Sequence, residues 1–125
     1  MSQGIHSPQE EGPPPPAIEF PVAVLRTLDK ITGRVRRLEV QIDQAARFGT
    51  LEIRVRTCRE RPPEEPPEAA AFLEIRELKP GEEPRKLFDG WMFASSPALS
   101  ALQHPVYDVW VIDCRTARPA GSRSP

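Results

Sequence analysis

The stretch Leu38–Cys58, LEVQIDQAARFGTLEIRVRTC, decides the fold class. Leu38, Val40 and Ile42 alternate with Glu39 and Gln41, and Leu51, Ile53 and Val55 alternate with Glu52, Arg54 and Arg56. A side-chain period of two sends one set inward and the other to water, the pattern of antiparallel strands with one buried face. Asp43–Gly49, between the two runs, has the length of a hairpin connection and ends in glycine. Cys58 breaks the rhythm, because it falls on the charged phase of its strand. A bulge or an end of pairing near Thr57 would turn it inward.

Working outward, Val22–Leu28 reads as a first strand and Ile31–Arg37 runs past Gly33 towards the second. Phe72, Leu73 and Ile75 form a further short strand. Val106–Cys114 is the last, and both its phases are apolar, which places it centrally or covered on both sides. Arg61–Glu68, RPPEEPPE, is too stiff for a helix and too poor in amides for a central strand, and Lys79–Lys86 is a second charged turn. Ser96 before Pro97 supplies a helix start, so one short helix is expected over Pro97–Gln103, with Gly90 bending the backbone so that the Trp91 indole turns in. With 16 prolines in 125 residues, more than twice the usual ~5%, helix content must be low. The expected fold is all-β, a small antiparallel β-sandwich or partly closed barrel of six to eight strands. Residues 1–19, with four consecutive prolines, read as a disordered Pro-rich tail, 20–114 as a single β-rich domain, and 115–125 as a flexible C-terminal tail.

Charge is balanced at a formal net of −1, and the basic residues after Cys114 are three scattered arginines. Nucleic-acid affinity comes from many clustered cations, so no nucleic-acid partner is expected. No apolar run approaches the ~20 residues of a membrane-spanning helix, and no charged-then-apolar leader follows Met1 in the sequence as given. The two cysteines, 56 positions apart, are compatible with one disulfide or with two buried reduced thiols.

No constellation of residues spells out a reaction. Ser95, Ser96, Ser100, His104, Asp108 and Asp113 are close in sequence, but there is no Gly-x-Ser-x-Gly elbow, and Ser96 is better explained as a helix cap. Two histidines and two distant cysteines match no metal-ligand spacing, and the scattered glycines match no phosphate-cradling loop; no metal or cofactor is expected. Trp91, Met92 and Phe93 either pack the core or line an apolar groove, and core packing is the usual role of such a cluster.

The run GWMFASSPALSALQHPVYDVWVIDC (90–114), with TCRERPPEEPPEAAAFLEI (57–75) ahead of it, resembles the bacterial domain-of-unknown-function family 2155, uncharacterised proteins mostly from alphaproteobacteria. The resemblance covers about Val24 to Cys114. Members of that family typically begin with a secretory leader, so the resemblance implies a periplasmic domain with a structural disulfide between Cys58 and Cys114. It brings no activity and no catalytic residues. The resulting expectation is a non-enzymatic periplasmic accessory module that meets a protein partner in or at the cell envelope. Rigid prolines and aromatics lose little entropy on binding. The surface expected to carry the contact comprises Arg61, Pro62, Pro63 and Glu64 on one loop, Trp91, Met92, Phe93, Ser95, Ser96 and Pro97 on another, and His104 and Tyr107. The alternatives are a hydrolase using Ser95 or Ser96 with His104, and a carrier of a small apolar ligand or lipid, which requires a cavity beneath Trp91 and Trp110.

Overall fold

The computed structural model describes residues 16–97 and 102–116. Among them nine strands follow in chain order: β1 Ile18–Phe20, β2 Val22–Asp29, β3 Arg34–Gln41, β4 Ala45–Phe48, β5 Leu51–Glu60, β6 Ala69–Glu77, β7 Arg85–Phe93, the two-residue β8 Leu102–Gln103, and β9 Tyr107–Arg115. They form two antiparallel sheets stacked as a sandwich. One has the order β1-β5-β6-β7, with β4 also on β5, and the other β3-β2-β9-β8. Strand β9, apolar on both phases, is central in its sheet and faces β5, β6 and β7 of the other.

The alternation in Leu51–Val55 does what period two requires. Leu51, Ile53 and Val55 are completely buried and meet Ile75, Leu73 and Ala71 of β6 and Val109 and Val111 of β9 in one core. Each fully buried Leu or Ile there would cost about 2–5 kcal/mol if cut to Ala. Past Val55 the register of β5 on β6 slips: Val55 lies opposite Leu73 and Thr57 opposite Phe72, leaving Arg56 as an extra residue. That bulge reverses the phase and brings Cys58 inward, fully buried, opposite Ala71. Cys58 on one sheet is bonded to Cys114 on the other, with Cα atoms 5.8 Å apart.

Four readings of the sequence need correction. Asp43–Gly49 is not only a connection: Ala45–Phe48 pairs with Leu51–Arg54 as a short strand. Gly90 does not bend the chain, because β7 runs through it in register with Leu73, and Trp91 next to it points to the outer face rather than inward. Leu102–Gln103 is a strand rather than the end of a helix; Pro97 is helical, and the rest of that expected helix, 98–101, lies outside the described residues. Ile18 and Glu19, read as tail, belong to β1, and Arg115 belongs to β9, while the expectations for 1–15 and 117–125 lie outside the described residues.

Candidate functional site

At the end of the sandwich where β5 runs into β6, the proline loop stands over the edges of both sheets. The loop is closed at its base by the Arg61 amide donating to the Glu68 carbonyl at 3.2 Å, and turned at its tip by the Glu65 amide donating to the Pro62 carbonyl at 3.0 Å. Prolines fix φ and so hold this shape with few internal hydrogen bonds. The Glu68 carboxylate then ties the loop to the end of β7. One oxygen accepts the amides of Ala69 and Ser95, each at 3.1 Å, and the other accepts the Ser95 hydroxyl.

Between the loop, Ala94–Ser95 and the end of β9 lies a cleft of about 500 Å³, lined by residues that include Arg61, Pro62, Pro63, Pro67, Ser95 and Ile112. Four carboxylates line it, Glu60, Glu65, Glu68 and Asp113, against the one guanidinium of Arg61. Glu60 and Asp113 converge on one amide: Cys114 N–H lies 3.1 Å from the Glu60 carboxylate and 2.9 Å from that of Asp113. Burial pushes the Glu60 carboxyl up to about 7, helped by its hydrogen bond to Asp113 and by that neighbour's charge, and opposed by the Cys114 amide. The Glu60 carboxyl therefore titrates near neutral pH, beside the disulfide.

A second polar cluster sits at the opposite end. Glu77 lies on the inward phase of β6 and is almost completely buried. It accepts from the Thr50 hydroxyl at 3.0 Å and contacts His104 Nε2 at 3.1 Å. His104 Nδ1 accepts the Val106 amide at 3.0 Å, so Nε2 carries the proton and donates to Glu77. Burial raises the Glu77 carboxyl, but the hydrogen bond from the Thr50 hydroxyl, the His104 imidazole beside it and the charge of Lys79 outweigh it and hold the group below its usual value. Tyr107 stacks on the imidazole at 5.5 Å and packs on Phe48 at 4.9 Å. Gly49, at φ +59°, has room for no side chain, since a Cβ would collide with the Tyr107 hydroxyl.

The residues singled out in the sequence thus fall into separate groups. Arg61, Pro62, Pro63 and Ser95 line the cleft, while Glu64 stands exposed on the loop outside its lining. Ser96 turns away after β7, its amide donating to the Phe93 carbonyl, and Pro97 is exposed. Trp91 and Phe93 form a half-buried ridge with Phe72 on the outer face of their sheet, with ring centroids 5.7 Å and 6.3 Å apart for Phe72–Trp91 and Trp91–Phe93. Met92, on the opposite phase, is a core residue and cannot serve a surface. His104 and Tyr107 belong to the far end. Neither tryptophan lines the cleft. The serine–histidine arrangement is not assembled: Ser95 is tied to Glu68 and His104 to Glu77, at the two ends of β6. At ~3.3 Å per strand residue this holds them on the order of 25 Å apart.

Glu60 and Ile112 are not singled out in the sequence, Glu68 reads only as the end of the proline loop, and Asp113 only as a neighbour of the serines and His104. Once the cysteines are joined, Glu60 and Asp113 must meet, as they stand two residues after one cysteine and one before the other; that adjacency was the available signal.

Comparison with known proteins gives a family and no activity. A curated relative, an uncharacterised protein of Rickettsia prowazekii (strain Madrid E), is 31% identical over 87 residues, covering 70% of this chain and 56% of that protein. The chain therefore spans little more than half the length of the relative it matches. No solved structure matches significantly. The sequence model of a bacterial family matches residues 23–114, the span that carries both sheets and both cysteines, and the chain belongs to that family, described as an uncharacterized protein conserved in bacteria (DUF2155).

Proposed function

We propose that the chain is a non-enzymatic interaction module of the periplasm that receives a segment of an envelope protein in the cleft at the proline corner. The observation that carries the reading is the cleft itself. It joins parts of two loops distant in sequence, and the disulfide and Glu68 hold its walls in place before any partner arrives. Pre-formed walls reduce the entropy lost on association, and a proline-rich rim loses almost none. Export agrees with the disulfide, because such bonds persist in oxidising compartments. The Phe72–Trp91–Phe93 ridge leads to Ala94 and Ser95 and offers apolar area next to the cleft mouth.

The test is site-specific photo-crosslinking in intact cells, with the reactive side chain placed at position 63 and, as a control, at position 82 in the β6–β7 loop. A discrete adduct from position 63 that is absent from position 82 supports the reading. No adduct at 63, or the same set from both positions, rejects it.

A further inference from the structure

The end of the sandwich remote from the cleft carries the β2–β3 hairpin, and its chemistry differs from that of any other surface of the described residues. The hairpin tip is built to be rigid. Asp29 accepts the amides of Ile31 and Thr32 on one carboxylate oxygen, and the Gly33 amide donates to the Asp29 carbonyl at 2.7 Å, with Gly33 at φ +75°. Its base is pinned by Lys30, which donates to the His104 carbonyl and pairs with Asp108 at 3.1 Å.

On this firm support two aliphatic side chains project into solvent: Ile31 is 76% exposed and Val35 58%, the two most exposed large hydrophobics described. Arginines flank them on both phases of β3: Arg37 shares the outer phase with Val35, and Arg34 and Arg36 lie on the other. Arg26 lies directly opposite Arg37 across the β2–β3 pair, an arrangement that like-charge repulsion disfavours. Arg34 and Arg36, on the phase opposite Val35, line a hollow of about 310 Å³ with Asp29, Thr32 and Phe48. The side chains of Arg26, Arg34, Arg36 and Arg47 form no ion pair among the described residues. The carboxylates nearby are already engaged: Asp29 in the turn, Asp108 with Lys30, Glu39 with Arg115, and Glu77 inside with His104. Glu82 and Glu83, on the β6–β7 loop, share that loop with Lys79, Arg85 and Lys86.

We propose that this hairpin docks on an anionic phospholipid surface. It approaches by its tip, so that Ile31 at the turn and Val35 on the outer phase enter the boundary between headgroups and acyl chains while Arg34 and Arg36 on the inner phase take lipid phosphates. Each half of the feature has its counterpart in such a surface. Guanidinium forks match phosphate oxygens, and aliphatic side chains gain by leaving water at the depth where those phosphates lie. A soluble polyanion would satisfy the arginines but would leave Ile31 in water. The proposal goes beyond the cleft and stands or falls separately from it, since the two features occupy opposite ends of the molecule.

The test is vesicle flotation with the intact chain, using phosphatidylcholine alone and a 70:30 mixture of phosphatidylcholine and phosphatidylglycerol, at low and at moderate salt. The variants are Arg34→Gln/Arg36→Gln and Ile31→Ser/Val35→Thr. Partition to the anionic vesicles only, weakened by salt, is expected for the wild type. Losing two arginines should weaken it about thirtyfold, and losing the aliphatics about tenfold or more. Both variants should keep the thermal midpoint of the wild type, because these side chains contribute little to the packed core. Equal binding to neutral vesicles overturns the proposal. So does an aliphatic variant that binds as the wild type does, which would leave a purely electrostatic site, and so does preferential binding to a duplex DNA competitor.

Discussion

The two ends of this sandwich are built from opposite materials. At the proline corner, four carboxylates, a stiff loop and a disulfide enclose a recess, and Glu60, Glu68, Ser95 and Asp113 are hydrogen-bonded to their neighbours. At the hairpin end, Arg26, Arg34 and Arg36 form no ion pair among the described residues, and Ile31 and Val35 project into water. One end is concave and acidic, the other convex and basic, with β9 running more than ~20 Å between them. The core lies between the sheets and is made mainly of Leu, Ile, Val and Ala, with Met92 and the two bonded cysteines. The contrast shows that a small sheet pair can be stabilised in its middle while its two ends are left to serve contacts of different chemistry.

The disulfide should matter most. Replacing Cys58 and Cys114 together by Ser opens a loop of 56 residues, a loss of about 4 kcal/mol in the chain-entropy model. For a domain of this size the melting midpoint should fall on the order of 15–30 °C, and the wild type in reductant should fall with it. Equal melting of oxidised protein and variant would show that the proline corner does not depend on its bridge. Next comes the far end. His104→Ala strips a partner from buried Glu77 and should cost about 2–3 kcal/mol by chemical denaturation, in oxidised and reduced protein alike. A smaller loss, about 1 kcal/mol, is expected for Ser95→Ala, which removes one of the three donors held by Glu68.

The smallest effect is one of pH. The Glu60 carboxyl, raised to about 7 when folded, adds stability that is full below its unfolded value and is lost as pH rises through 7. Glu77, held below its usual value, adds stability that is present above the unfolded value and is lost as pH falls. Melting curves from pH 8 to pH 5 should therefore show the wild type gaining slightly on Glu60→Gln. A difference between the two that does not change over that range would refute the raised Glu60 carboxyl.

Much of this architecture was legible in the sequence wherever side chains alternate. Leu51–Val55 and Tyr107–Cys114 announced buried strands, and the displaced phase of Cys58 pointed to the bulge found at Arg56. Strand β7 was harder to see, because a register shift opposite Ile75–Arg76 and the lack of a side chain at Gly90 interrupt its rhythm. Strand β4, with two alanines in four residues, carries almost no pattern. The prolines marked the cleft's rim, but its acidic floor depends on Glu60 and Asp113, which only the cross-sheet bond brings together. The hairpin tip was hidden for another reason: Ile31 and Val35 read only as part of a run leading past Gly33 to the second strand, and nothing in that run marks them as left in water.

Arg56 has a consequence for how this chain can vary. As the supernumerary residue of β5 it divides the strand into two halves of opposite parity, one pointing branched aliphatics inward and the other a sulfur. Exchanging it for another side chain would trouble little. Deleting it would join the halves into an unbroken alternation and swing Cys58 to the outside, away from its mate. The constraint at that position falls on count rather than on identity.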